Sequence, residues 1–423
     1  MGYIEGYRSF FCGVGWNGGY RVEAFGASWG TRMLPRLLLM IPTLDACGAE
    51  KQFTLLATSR ALRDVFDVHV AVLTRSGPYE VALRSAGVPI HFIHKHGKID
   101  PFALWRLRKL MRELRPDLVH TWIFAANAYG RVAAWLEKVP VVIGGERCVD
   151  PWKTAYEFAM DRFLAKRSTA IVTNSSGVVD FYAAHGISKS LFHIIPNGIP
   201  PYTSPYPDSE SRRIAKQKLC ESFSIPTDSR LVLLVARLWP QKRVLDAIWA
   251  TDLLKVVRDD VHLLVIGDGP QRERLRMFRY ECRIEDRVHF LGSRSDVAAL
   301  LPLGDVLWLP SAFEGLPNVI LEAMAAGIPV VASDIPGNRD LVVHGETGFL
   351  IPTGDAAALS THVNKTIARG FAKDTLAILE APALAIKLGN AGRRRAIAQY
   401  TVSGMVAAHV ALYRRLMEEC GVL

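Results

Sequence analysis

No low-complexity tract interrupts the 423 residues, and no apolar run approaches the roughly 18 residues that span a bilayer. The best apolar stretch, Leu37 to Ile41, reads as a first core strand rather than the hydrophobic region of a signal peptide. Cysteine is scarce. The six residues, at positions 12, 47, 148, 220, 282 and 420, form no CxxC pair, which argues against a zinc knuckle and a disulfide framework and fits a reducing cytoplasm. What is present is ordinary for a globular protein: 50% of residues are apolar and 22% charged. The length suits two or three domains. A net charge of +10 favours anionic partners, among them nucleic acid, acidic membrane and phosphorylated compounds.

Gly13-Val14-Gly15-Trp16-Asn17-Gly18 matches GxGxxG in letters only. A dinucleotide site needs a hydrophobic strand before the motif and a helix after it. Here Tyr7 to Cys12 precede it and more glycine follows, so the motif is rejected. Residues 1–32 lack strand or helix periodicity and are expected to be a disordered or mis-assigned extension, with Met33 as the candidate biological start; a genuine but divergent extension is the alternative.

From Met33 onward, strand and helix patterns alternate. Strands are expected at 36–41, 66–73, 89–93, 117–121, 139–143, 169–173 and 192–195, with a helix over 48–62. A second series is expected at 231–235, 261–266, 288–290, 306–309 and 328–332. Strands alternating with helices make a parallel sheet covered on both faces. Between the series, Pro196-Asn197-Gly198-Ile199-Pro200-Pro201 opens a polar, proline-rich stretch. The expected fold class is therefore α/β, with two Rossmann-like domains facing a central cleft: 33–200, a linker at 201–226, and 227–399. A last helix within 400–423 is expected to pack back on one of the two, most simply the N-terminal one.

The segment 313–331, FEGLPNVILEAMAAGIPVV, places Glu314 before a short helix and Glu322 within it. Pro317 or Asn318 suits the helix start, and Gly327 its end. A helix N-terminus presents free N–H groups and partial positive charge, which favours phosphate. A carboxylate one turn inside can accept two hydrogen bonds from a vicinal diol such as ribose. Arg237 and Lys242 follow the expected strand 231–235 and could supply cationic contacts to phosphate. Taken singly, each has a plainer reading: a solvated helix residue, a structural ion pair or a solubilising lysine.

Taken together, the motifs resemble those of the retaining, GT-B-fold glycosyltransferases of family 4, also called group 1. The resemblance rests on E-x7-E at Glu314 and Glu322 within EGLPNVILEAMAAGIPVVAS, and on Arg237-Leu238-Trp239-Pro240-Gln241-Lys242. Val265-Ile266-Gly267-Asp268-Gly269-Pro270, Ile195-Pro196-Asn197-Gly198 and Gly345-Glu346-Thr347-Gly348-Phe349-Leu350 complete it. It implies that Glu322 holds the nucleotide ribose. Glu314 contacts the donor sugar, assisted by the donor-binding segment Gly315, Leu316, Pro317 and Asn318, whose non-proline residues offer backbone N–H groups. Arg237 and Lys242 bind the diphosphate, and Arg294 lies near the base. No two aspartates stand two apart, so a DxD metal site is not expected, and cations with a helix N-terminus would stabilise the leaving group. No cofactor is expected.

In the first half, Asp45-Ala46-Cys47-Gly48-Ala49-Glu50 is similar to the family's GGAE-type loop, which points to Gly48 as a donor contact despite Cys47 in place of the first glycine. The resemblance also assigns His120 a donor-sugar contact with catalytic assistance; a structural histidine is the alternative. Asn127, Arg131, Glu146 and Arg147 are the candidate acceptor contacts. Residues 101–115, PFALWRLRKLMRELR, set leucines on one helical face and Arg106, Arg108, Lys109, Arg112 and Arg115 on the other, with Phe102 and Trp105 among them. That pattern fits either an anionic membrane surface or a solvated face. The reading is thus a transferase moving a hexosyl or N-acetylhexosaminyl group, from a UDP-sugar by preference, to a sugar or lipid-linked acceptor in surface polysaccharide or glycolipid synthesis. It would work in the cytoplasm or at the inner membrane face. A nucleotide-sugar 2-epimerase and a non-catalytic nucleotide-sugar binding protein are the alternatives; no nucleic-acid motif accompanies the charge.

Overall fold

The computed structural model describes residues 34–354 and 362–423. The 13–18 glycine run and the extension expected at 1–32 lie outside the described residues. All the expected strands form, with small shifts at their ends. The first sheet contains β1 (Arg36–Thr43), β2 (Asp67–Arg75), β3 (Ile90–Phe92), β4 (Leu118–Trp122), β5 (Val141–Glu146), β6 (Ala170–Thr173) and β7 (Phe192–Ile194), ordered β3-β2-β1-β4-β5-β6-β7. The second contains β8 (Arg230–Val235), β9 (Val261–Ile266), β10 (Val288–Gly292), β11 (Val306–Leu309), β12 (Val330–Ser333) and β13 (Gly348–Ile351), ordered β10-β9-β8-β11-β12-β13. Neighbouring strands pair in parallel. β4, β6, β9, β11 and β12 are buried along their whole length, which is why they read as mainly apolar rather than alternating, with His120 and Thr121 in β4 and His262 in β9 as interior polar exceptions.

Strand order reverses between β1 and β4 in one sheet and between β8 and β11 in the other. Ligands of such sheets bind outside the carboxyl ends at the reversal. The loops carrying Gly48, Arg237 and Glu314 leave β1, β8 and β11, all reversal strands.

Three local expectations change. The helix expected over 48–62 is two: α1 (Gly48–Thr58) and a turn at Arg60–Arg63, parted by Ser59 in extended backbone. The stretch expected as a linker contains the helix Ser209–Ser222, capped by Asp208. Its mostly polar surface hides the signal, since Leu219 and Cys220 are its only buried residues, with Ala215 packed in part against the second core. β13 is an addition, a short edge strand opened by Gly348, a poor strand former. The last helix, Val402–Glu419, joins the first core, with Met405, Val406, Leu412, Tyr413, Leu416 and Met417 packed beside Leu37, Leu39 and Phe66. The chain re-enters that lobe where it left it, Ile199 bridging Thr401.

Candidate active site

Gln241 sews the two cationic and acidic loops of the second lobe together. Its Nε2 donates to the Phe313 carbonyl at 2.7 Å, and its own carbonyl accepts from Ala312 N–H at 2.8 Å. This fixes Lys242 beside Glu314, and the two side chains form a short ion pair. Arg237 is exposed, lies 5.8 Å from the Trp239 ring and makes no ion pair among the described residues. The helix Asn318–Ala325 follows at once, ended by Gly327 at φ 74°. Its cap is Pro317. Asn318 is the first helical residue, and its side chain reaches across the cleft instead of capping its own helix.

The cleft is tightly shut at this point. Asn318 donates to the Gly48 carbonyl at 3.0 Å and accepts from Gln52 at 3.2 Å and Asn197 at 2.8 Å. Asn197 also donates to the Leu316 carbonyl at 2.8 Å and accepts from Arg147. Lys51, one turn into α1, pairs with Glu322 at 2.6 Å. At Gly315 a Cβ would lie 1.9 Å from the Arg147 carbonyl oxygen, so only glycine admits this approach of the two lobes. Further along the seam, Ser176 N–H and Oγ both reach Asp340.

The structure thus gathers Gly48, Arg237, Lys242, Glu314, Gly315, Leu316, Pro317, Asn318 and Glu322 around one cleft. Arg294 lies in the exposed loop after β10, paired with Asp296 at 2.6 Å. That loop is tied to the Gly267 turn through Gly267 N–H and the Gly292 carbonyl.

His120 does not reach the cleft. Its exposure is 0%, and it lies in the first core against Tyr413 and His409, with Nδ1 2.6 Å from the Tyr413 hydroxyl. Burial holds its pKa well below the usual histidine value. A donor-sugar contact is corrected accordingly: the imidazole is a neutral core group. Asn127, Arg131 and Glu146 are corrected in the same way. Asn127 bonds Glu146 at 2.9 Å; Arg131 pairs with Asp161 at 3.1 Å; Lys153 joins Asp161 at 2.8 Å and the Tyr182 hydroxyl at 2.7 Å. These buried charges satisfy one another, as burial demands, and Glu146 is pushed up to about 7 by desolvation. None is left for an acceptor. Arg147 differs: it stacks over Trp122 at 4.3 Å, under the Gly315 loop, with Nε and Nη1 lacking hydrogen-bond partners among the described residues. Desolvation lowers its pKa to about 9.

Sequence reasoning missed Lys51, Gln52, Asn197 and Tyr79. Asn197 sat inside a quoted motif; α1's amphipathic spacing gave no hint that Lys51 and Gln52 face another lobe. Tyr79 is pushed up to about 12 by burial, with Glu322 and Glu50 adding to the rise.

Residues 52–202 match the family model for Glycosyltransferase Family 4, and residues 215–377 that for Glycosyl transferases group 1. The chain is 28% identical over 277 residues to UDP-Gal:alpha-D-GlcNAc-diphosphoundecaprenol alpha-1,3-galactosyltransferase of Escherichia coli, covering 60% of this chain and 67% of that protein. It is 27% identical over 335 residues to 2-deoxystreptamine glucosyltransferase of Streptomyces kanamyceticus, covering 74% and 81%. Anabaena HepE, solved in complex with UDP, superposes with a TM-score of 0.75 at 21% identity, over 90% of this chain and 100% of that one. At that identity the likeness shows the fold.

Proposed function

Because this chain belongs to the group 1, family 4 glycosyltransferases and has their GT-B plan, we propose that its cleft cleaves a nucleotide-activated sugar and passes the glycosyl group to an acceptor with retention of configuration. One observation carries the reading: Glu314, Lys242, Arg237 and the N-terminus of the Asn318–Ala325 helix meet where the second sheet's strand order reverses. In this reading Glu322 accepts the ribose diol, and Glu314 accepts donor-sugar hydroxyls. Bond cleavage leaves negative charge on the diphosphate. Arg237, Lys242 and the helix N–H groups stand ready to receive it, a pre-organised arrangement that lowers the barrier. They fill the role a metal plays elsewhere, so turnover is proposed to be metal-independent. For retention, the acceptor hydroxyl attacks from the face the diphosphate leaves.

UDP is the proposed nucleotide, supported by the UDP-Gal in the name of the Escherichia coli relative and by the UDP complex of HepE. That relative's name also supports a saccharide or lipid-linked saccharide acceptor, met at the inner membrane face. Among the described residues no helix is long and apolar enough to cross a membrane. Peripheral contact is proposed through the aromatics beside Pro101–Leu114, whose basic residues are largely matched: Arg108 and Arg112 share Glu137, and Arg106 holds Asp100.

The test is a donor screen on the full chain with EDTA, following nucleoside diphosphate release from UDP-, GDP-, ADP- and dTDP-sugars. One donor should be consumed, and Glu314→Ala and Arg237→Ala should each slow it on the order of a hundredfold. Release from no donor, even with membrane extract as acceptor source, would leave a binding protein. Epimerisation of a donor without release would leave an epimerase.

A further inference from the structure

Each carboxylate of the cleft is held by a lysine. The partner of Glu314 is Lys242, from the same lobe. The partner of Glu322 is Lys51, from the opposite lobe. We propose that Lys51 is a diphosphate ligand: it gives up Glu322 to the ribose diol and takes a phosphate oxygen of the donor in exchange. The proposal rests on the functional reading above.

The Lys51–Glu322 pair is not built as a structural pair. The side chains are 33% and 24% exposed, so both are open to a ligand, and such a half-exposed pair adds little to stability. Glu322 is also the single carboxylate that Lys51 pairs with among the described residues. Glu50, its neighbour in sequence, is turned to Thr43, and Asp45 is matched by Arg75. A diol seated on Glu322 takes up the carboxylate oxygens that the ammonium now contacts. The displaced ammonium then needs a new anion. One is expected within reach. The first turn of α1 lies against the phosphate seat, since Asn318, first residue of the Asn318–Ala325 helix, bonds the Gly48 carbonyl. The charge of Arg237 acts on both Cys47 and Glu50 of the same turn. Lys51 therefore adds a cation from the first lobe to Arg237 and Lys242 of the second. The diphosphate would then be contacted from both lobes.

The test is a double-mutant cycle read by calorimetric titration of UDP into the full chain, using Lys51→Met, Glu322→Gln and the pair. If Lys51 binds the diphosphate, Lys51→Met weakens UDP binding by about tenfold or more, and does so again in the Glu322→Gln background. Lys51→Arg, which keeps the charge, recovers most of the affinity. If Lys51 only latches the empty cleft, Lys51→Met tightens UDP binding and has no effect once Glu322 is glutamine; that result overturns the proposal, as does an unchanged affinity. A wild-type chain that binds no UDP would count against the functional reading itself, before Lys51 is at issue.

Discussion

His120, packed beside His409, shows how a residue that looks catalytic becomes part of a core. Both are fully buried, facing Tyr413, Trp122 and Arg147, with no carboxylate against either ring among the described residues. Burial holds His120 well below 6.5 and drives His409 down to about 3. In the unfolded chain each titrates near 6.5. Below that pH the unfolded chain binds protons that the folded chain refuses, so stability is complete above about 6.5 and falls as the pH drops. Glu146, raised to about 7, acts in the opposite sense between its unfolded value of 4.5 and 7, so a variant comparison is needed. His409→Phe should flatten the acid limb: between pH 7 and 5 the wild type should lose on the order of 2 kcal/mol more than the variant in urea unfolding. Parallel limbs would show that His409 titrates normally in the fold.

At the scale of elements, much was legible. β8, β9 and β11 appear at or within a residue of their expected positions, because continuous apolar runs bounded by polar turns leave little choice. The Asn318–Ala325 helix begins and ends where proline, asparagine and glycine predict. The Ser209–Ser222 helix was hidden by its polar surface, and the break at Ser59 by flanking sequence that continues the helical spacing. In the site, the second lobe's residues were legible because two of the quoted motifs follow β8 and β11, the strands on either side of the reversal. The first lobe's were not: position at a strand end does not say whether a side chain turns to the cleft or into the core, and for His120, Asn127, Arg131 and Glu146 it turned inward. The helix Pro101–Leu114 buries Ala103, Leu107 and Met111 as the leucine spacing implied. Outside, Phe102 is 73% and Trp105 56% exposed, while its arginines are matched. Membrane affinity through this helix should therefore depend on the aromatics more than on charge. Phe102→Ser with Trp105→Ser should cut sedimentation with phosphatidylglycerol-containing vesicles several-fold while leaving donor hydrolysis unchanged; equal sedimentation would remove this surface as the contact.

For the molecule as a whole, the geometry is that of two sheets with reversed strand order, their carboxyl ends meeting across Gly315, Asn318 and Arg147. The helix Val402–Glu419 returns the chain to the first core, so the second lobe is tied to the first at both ends of its sequence. Neither lobe alone holds the proposed donor site: Gly48 and Lys51 come from one, Glu314 and Glu322 from the other. The central claim is that this closed cleft transfers a sugar with retention. It is tested most directly by proton NMR of the full chain turning over the donor identified in the screen, with its acceptor present. The account predicts that the donor's anomeric signal is replaced by a glycoside of the same configuration, with nucleoside diphosphate released in equal amount. A product of inverted configuration, or an epimerised donor with no diphosphate released, would contradict it.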